Sequence, residues 1–493
     1  MRDRALGGAA VLGVRGAIVF ALGLVANVAL ARLLVPRDFG LVALGSVLIV
    51  VGTYLTDGGL GAALIRREAP PQRIELEAVA GVQTAVAAAL AALAAAAAAA
   101  FGRDGLVVAA MLASLPIATA RLPAAIVLER ALQYRPIAVV DLAEAVAYYA
   151  WALGSVALGA GVWGLASAVV VRAVVGVATM ARVGPLGLVR PRWSWPHARP
   201  LVGFGARLQA TAIVALARDQ GLNVGVASVA GVATLGVWSL AYRILQVPTL
   251  IVTVAGRVAY PAMARILEAG RDPAPLVERA VAAVTVAIAV VVVAMVGFAP
   301  ALPALLGPGW DDVPETLALS GLGLLLSQPV VVSTMGYLFA TDHAGTVARA
   351  TAWHTLAWFA VTLPLLPSLG AVAVGAGWVP AGIVIAAIVG RRTAQLTGAA
   401  IARSLAVPLA VAAAAGAAGW TVAAAGPETV PWGVAGLAAG ELALVGGLAL
   451  AARPALAGAY DLAARAVRTS RGGRSRAGEP PAPRPAPAGE PPE

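Results

Sequence analysis

From residue 9 to residue 452 the chain repeats one unit, an apolar stretch about twenty residues or more in length followed by a short polar turn. A hydrocarbon core roughly 30 Å thick takes about 20 helical residues to cross, so each stretch is a candidate span. The windows fall at 9–33, 40–63, 79–101, 106–128, 138–159, 162–182, 201–226, 232–256, 280–303, 314–340, 346–367, 370–390, 404–425 and 431–452. The pattern predicts an all-α, polytopic membrane protein of about 14 transmembrane helices. The third stretch, TAVAAALAALAAAAAAAF, is only weakly apolar and needs support from its neighbours.

Composition agrees. Of 493 residues, 60% are hydrophobic and 12% charged, against about 25% charged in soluble proteins. The spans leave no room for a soluble domain. A net charge of +11 would suggest nucleic acid in a soluble protein. Here it is read as topology and lipid contact, with no nucleic-acid partner. Every basic residue is arginine, which fits a GC-rich coding bias and hence a bacterial chain. Cysteine is absent, which excludes disulfides, thiolate metal sites and a cysteine nucleophile. The N-terminal MRDR precedes an apolar run that reaches Leu34. That is too long for a signal-peptide core, so it is read as the first membrane helix.

The turns alternate in charge. One set holds Arg2/Arg4, Arg66/Arg67/Arg73, Arg130/Arg135, Arg182/Arg190/Arg192/Arg199, Arg265/Arg271/Arg279 and Arg391/Arg392/Arg403. The other holds Arg37/Asp38, Arg103/Asp104, Asp311/Asp312/Glu315, Glu428 and several uncharged turns. The positive-inside rule then predicts a multi-pass protein of the bacterial cytoplasmic membrane with both termini cytoplasmic.

The longest connection, RPRWSWPHARP within 184–200, falls between the sixth and seventh spans. It divides an N-terminal lobe, 1–183, from a C-terminal lobe, 201–392. Two further helices follow at 404–452, and 465–493 forms an Arg- and Pro-rich cytoplasmic tail expected to be disordered beside anionic lipid. The stretches 39–68 and 235–268 resemble each other weakly, each opening on an aromatic or aliphatic residue with Gly and ending in a basic exit. A parallel repeat of six plus six helices with two added spans fits transporter architecture.

Charge inside the spans carries the functional signal. On 232–257, Gly236, Ser239, Arg243, Gln246, Leu250, Thr253 and Arg257 share one arc. Arg243 falls near mid-membrane, where an unpaired charge costs at least about 2.5–3.5 kcal/mol. Arg15, Arg121, Arg172, Arg207 and Arg218 are likewise embedded. Asp141, Glu144, Tyr148, Trp151 and Ser155 form a stripe on the fifth span, and Ser46, Thr53 and Asp57 one on the second. Two readings are open for each arginine, a structural ion pair between helices or the lining of a cavity. The buried acids counted against them are Asp57, Glu144, Asp219 and the peripheral Glu441, too few to pair all the arginines locally. The surplus points to a cationic cavity for an anion, and arginine's planar fork suits phosphate oxygens. Arg15, Arg172, Arg207, Arg218, Arg243 and Arg257 are the candidate substrate-binding residues. Asp57, Glu144, Asp219 and Gln246 are candidates for cavity polarity or for coupling to a cation or proton. The acids have a plainer alternative as neutralisers of nearby arginines, and the lone His354 reads as packing. No metal site or cofactor is expected; a Na+ or H+ gradient or the membrane potential would supply the driving force. The chain lacks a Walker GxxxxGK[ST] run, HExxH and a serine nucleophile motif.

Specific blocks then become familiar. ARLLVPRDFGLVALGSVLIVVGTYLTDGGLGAALIRR (31–67) resembles the start of the Wzx-type polysaccharide flippases of the multidrug/oligosaccharidyl-lipid/polysaccharide (MOP) exporter superfamily. GVATLGVWSLAYRILQVPTLIVTVAGRVAYPAMAR (231–265), LLGPGWDDVPETLALSGLG (305–323) and GYLFATDHAGTVARA (336–350) add to the likeness, which covers about residues 1–400. The resemblance implies two six-helix lobes around a central cavity, alternating access, and no enzymatic activity. It implies a polyprenyl-pyrophosphate-linked oligosaccharide as substrate, membrane lipids as surroundings, and a polysaccharide polymerase and glycosyltransferases as partners. Competing readings are a lipid II flippase, a MATE-like cation-coupled efflux transporter and a membrane glycan polymerase or ligase.

Overall fold

The computed structural model describes residues 2–453, without the side chains of 2–12, 14 and parts of 204–215 and 254–261. The expected tail at 465–493 lies outside the described residues. Among these residues every regular element is helical. The first half comprises α1 (Arg2–Leu33), α2 (Pro36–Asp57), α3 (Leu60–Arg66), α4 (Arg73–Ala98), α5 (Gly102–Leu112), α6 (Ser114–Thr119), α7 (Leu122–Arg130), α8 (Tyr134–Ala157) and α9 (Val162–Val183). The second comprises α10 (Trp195–Ala230), α11 (Val232–Glu268), α12 (Ala274–Phe298), α13 (Leu302–Leu306), α14 (Val313–Ala340), α15 (Ala344–Leu369) and α16 (Val372–Thr397). Two helices follow, α17 (Ile401–Ala424) and α18 (Val430–Ala451).

Among the described residues, 11 helical stretches are long and apolar enough to cross a membrane. A count of fourteen divides one of them, Arg73–Thr119, and adds α10 and α15. The division falls at Gly102, whose φ of 57° breaks the helix. Helix α10 carries Arg207, Arg218 and Asp219 within its length, which lowers its apolarity.

Local breaks follow from sequence. Helix α2 opens with Pro36 in its first turn, where a missing N–H costs nothing. It stops at Gly58 (φ 52°) and Gly59 (φ 72°). The Asp57 carboxylate takes up the N–H groups left free there, accepting from Gly59 at 3.1 Å and Gly61 at 3.4 Å, with Gln83 Nε2 at 3.4 Å.

Packing sorts the helices into two groups. In the first, α8 lies against α1 and α9, and α2 against α4 and α5. In the second, α14 is central, packed on α11, α12 and α16, and α15 lies along α16. Helices α17 and α18 pair with each other and dock on α12. A Cβ on Gly297, Gly419 or Gly436 would lie 2.8 Å or less from a facing backbone atom there. Small residues let helix backbones meet where lipid offers no hydrophobic drive. The buried hydroxyls of Thr285 and Thr334 are satisfied within their own helices, donating to Val281 O and Val330 O.

The two groups meet at both ends. Where α2 and α11 begin, a Cβ on Gly40 would collide with the carbonyl oxygen of Val232, and one on Gly236 with that of Pro36. Beside this seam the fully buried Trp310 donates to Ala31 O at 3.1 Å and stacks edge-on against Phe39 at 5.1 Å. Arg32 donates to Ala304 O at 3.0 Å on α13. At the opposite end Gly59 and Gly205 pack backbone against backbone, and Gln209 Nε2 donates to Tyr54 O at 2.6 Å. Leu60, Leu64, Leu76, Val79, Ile126 and Leu201 seal that end with a separate apolar cluster.

Candidate functional site

Between the two seams runs a groove walled by α1 on one side and α11 on the other. Arg15, Val19, Gly23 and Asn27 recur every four residues, so α1 turns one face to it. The cavity there measures about 340 Å³ and is lined by Arg15, Gly16, Phe20, Asn27, Tyr149, Arg243 and Gln246, among others. Asn27 is buried and donates to Gly23 O at 2.6 Å.

Arg243 and Gln246 come from the arc predicted on α11. Gly236, on the same arc, lies in the seam against Pro36, so the arc leaves the α2 contact and continues into the groove. Arg243 is half-buried and has no ion-pair or hydrogen-bond partner among the described residues. The Gln246 side chain accepts from Thr249 at 3.0 Å. Arg257, further along α11, is exposed and also lacks a described partner.

Four other arginines are engaged. Arg15 Nη2 lies 3.2 Å from Asp141 Oδ2. Arg121, between α6 and α7, reaches Asp141 at 3.9 Å and Glu144 at 3.3 Å. Arg172 Nε donates to Glu144 Oε2 at 3.2 Å. Three arginines from three segments thus share two carboxylates one turn apart on α8, leaving one positive charge over. The Glu144 side chain is 4% exposed and that of Arg172 56%. A carboxylate this buried needs both guanidinium partners to offset its desolvation, while Arg172 keeps its outer nitrogens free. Arg218 pairs with its neighbour Asp219 at 2.7 Å and lines a different cavity, where α11 contributes Trp238 and Tyr242. The side chain of Arg207 lies outside the described residues.

Of the candidate acids, Glu144 and Asp219 neutralise arginines, and Asp57 holds the α2–α3 turn through backbone N–H groups rather than through an arginine. Asp141, on the α8 stripe beside Glu144, is a further acid in the balance; it closes the network between α1 and α8. Asn27 and Tyr149 were not anticipated either. The four-residue spacing from Arg15 to Asn27 was a usable signal for the first, while Tyr149 reaches the groove only because α8 packs on α1.

Two solved membrane transporters share a bundle of this kind. Lipid II flippase MurJ in an inward closed conformation matches it with a TM-score of 0.64 at 10% identity, over 89% of this chain and 98% of its own. An inward-facing multidrug resistance MATE family transporter of the MOP superfamily matches with a TM-score of 0.53 at 16% identity, over 78% and 95%. These likenesses show that the chain shares the fold of those two proteins. The chain belongs to the family described as Polysaccharide biosynthesis protein, which it matches over residues 29–315, more than half its length. That match takes in the blocks at 31–67 and 231–265, part of 305–323 and none of 336–350, so it is shorter than the expected 1–400. No curated protein sequence matches the chain.

Proposed function

We propose that the protein is a flippase that moves a polyprenyl-pyrophosphate-linked oligosaccharide across the bacterial cytoplasmic membrane by alternating access. One observation carries the reading. Arg243, on a membrane helix between two closed ends, faces a groove and has no described partner. A guanidinium so placed is stabilised by a ligand anion, and its fork fits pyrophosphate oxygens. Arg15 stands across the groove and Arg172 has free nitrogens, so both can add to the anion's shell while Asp141 and Glu144 keep them in place.

In this reading the lipid tail stays in the bilayer and the groove opens by parting one glycine seam at a time. The arginine-rich turns put both termini in the cytoplasm, with Gly59 and Gly205 at the cytoplasmic end and Gly40 and Gly236 at the outer end. The membrane potential or a Na+ or H+ gradient drives the cycle. The polymerase that consumes flipped units and the glycosyltransferases that build them are the expected partners. A cationic drug is the poorer cargo, since the groove would present it with unpaired positive charge.

A deletion strain tests the reading. Lipid-linked repeat units should accumulate on the cytoplasmic leaflet, whereas flipped but unpolymerised units would assign a polymerase instead. Arg243→Ala and Arg243→Gln should each abolish glycan export with protein still in the membrane. Normal output from both would remove Arg243 from the site.

A further inference from the structure

The second cavity, about 440 Å³ in volume, adjoins the groove along the same α11 turns. Tyr242 lines it and Arg243 lines the groove, consecutive residues whose side chains diverge by about 100° around the helix. We propose that this cavity binds the first sugars of the lipid-linked glycan by stacking them on aromatic faces, while Arg243 holds the pyrophosphate. The proposal rests on the flippase reading and assigns its glycan subsite.

Two layers of aromatic rings build the wall. Trp238 and Trp378 are buried, 3% and 9% exposed. Trp358 packs on both, at 6.4 Å and 5.0 Å between ring centroids, and Tyr242 lies 5.5 Å from Trp238. Two of the indole N–H groups are taken, Trp238 donating to Asn223 Oδ1 at 3.2 Å and Trp358 to Val374 O at 3.0 Å. The rings are therefore fixed at their edges, and the half-buried Trp358 and the 42% exposed Tyr242 are the ones turned to the cavity. An aromatic face is electron-rich and attracts the weakly positive C–H groups on one face of a pyranose ring. Gln328 and Thr351 on the facing helices offer neutral hydrogen-bonding groups for hydroxyls.

Charge separates this ligand class from its rival. Aromatic walls also attract organic cations, but Arg218 lines the cavity, and Asp219 is already paired with it at 2.7 Å. Among the described residues the cavity holds no spare negative charge for a cation. It is neutral where the groove is positive, which divides one ligand between two adjoining sites along α11.

The test uses the full chain in nanodiscs with undecaprenyl pyrophosphate, bare or carrying glucose, galactose or N-acetylglucosamine. Tryptophan fluorescence follows binding. At least one glycosylated lipid should bind about tenfold tighter than the bare lipid. Tyr242→Leu and Trp358→Leu should each abolish that increment and leave the bare lipid's affinity unchanged; Trp358→Phe, which keeps a stacking face, should restore much of it. Equal affinity for bare and glycosylated lipids, or an increment that survives both leucine variants, overturns the proposal. So does binding of tetraphenylphosphonium that depends on Tyr242 and Trp358. If the bare lipid does not bind at all, the pyrophosphate site at Arg243 has failed first, and the subsite falls with it.

Discussion

The carboxylate of Glu144 occupies the volume that a Cβ on Gly176 would fill. Helix α9 thus accommodates the acid that pins Arg121 and Arg172 by having no side chain at that point. Gly176→Ala forces Glu144 or the helix aside, and overpacking of this kind costs about 1–3 kcal/mol. The variant should unfold at a lower temperature in detergent and export several-fold less glycan. Gly154→Ala, where a Cβ meets nothing within 4 Å, serves as the matched control and should leave both unchanged.

At Arg243 the charge and the fork can be separated. Arg243→Lys keeps the charge and loses bidentate geometry. Transport by the lysine variant should fall about tenfold or more, in line with ~1.5–3 kcal/mol for a charge-assisted hydrogen bond. It should still exceed transport by Arg243→Gln. Equal loss in both variants would mean that geometry, not charge, governs the site; this is read from glycan output at matched protein levels.

The absence of cysteine makes the two seams open to crosslinking without background. Tyr54→Cys with Gln209→Cys places a pair at one end, and Arg32→Cys with Leu305→Cys a pair at the other. Both pairs join segments in direct contact. Each should crosslink with a short bis-maleimide. A cycle that needs both ends to part should stop when either pair is bridged, and single variants treated the same way should continue.

Burial pushes the Asp312 carboxyl, in the turn before α14, above the usual carboxylate range, and neighbouring Asp311 adds to the rise. A raised folded-state value means that the folded protein favours the protonated form. Stability from this group is therefore present below the ordinary carboxylate pKa and is lost as pH rises through the raised value. Asp312→Asn should melt at a higher temperature than the parent at pH 7.5, and the gap should close as the pH falls through 4.

How far the site was legible before folding differs from residue to residue. Arg243 and Gln246 were read from one helical arc, and the groove does take both. Arg15 and Arg172 look like surplus charge in the sequence, yet each meets an acid on α8, because Asp141 adds to the balance and one buried carboxylate serves two arginines. Asp57 lies on a polar stripe, but its oxygens close the α2–α3 turn. Tyr242 carries no sequence signal that separates it from ordinary core aromatics; its importance depends on which face of α11 meets α15 and α16.

Sequence by itself determined the helical membrane class, the positions of most helices and the charged stripes upon them. Those properties are local, set by apolar length and by which residues recur each turn. Tertiary structure alone decided where each stripe points and which charges cancel. Helix rotation is fixed by close contacts such as Gly40 on Val232 and Gly236 on Pro36, between residues almost two hundred positions apart, and no periodicity along one helix encodes its partner.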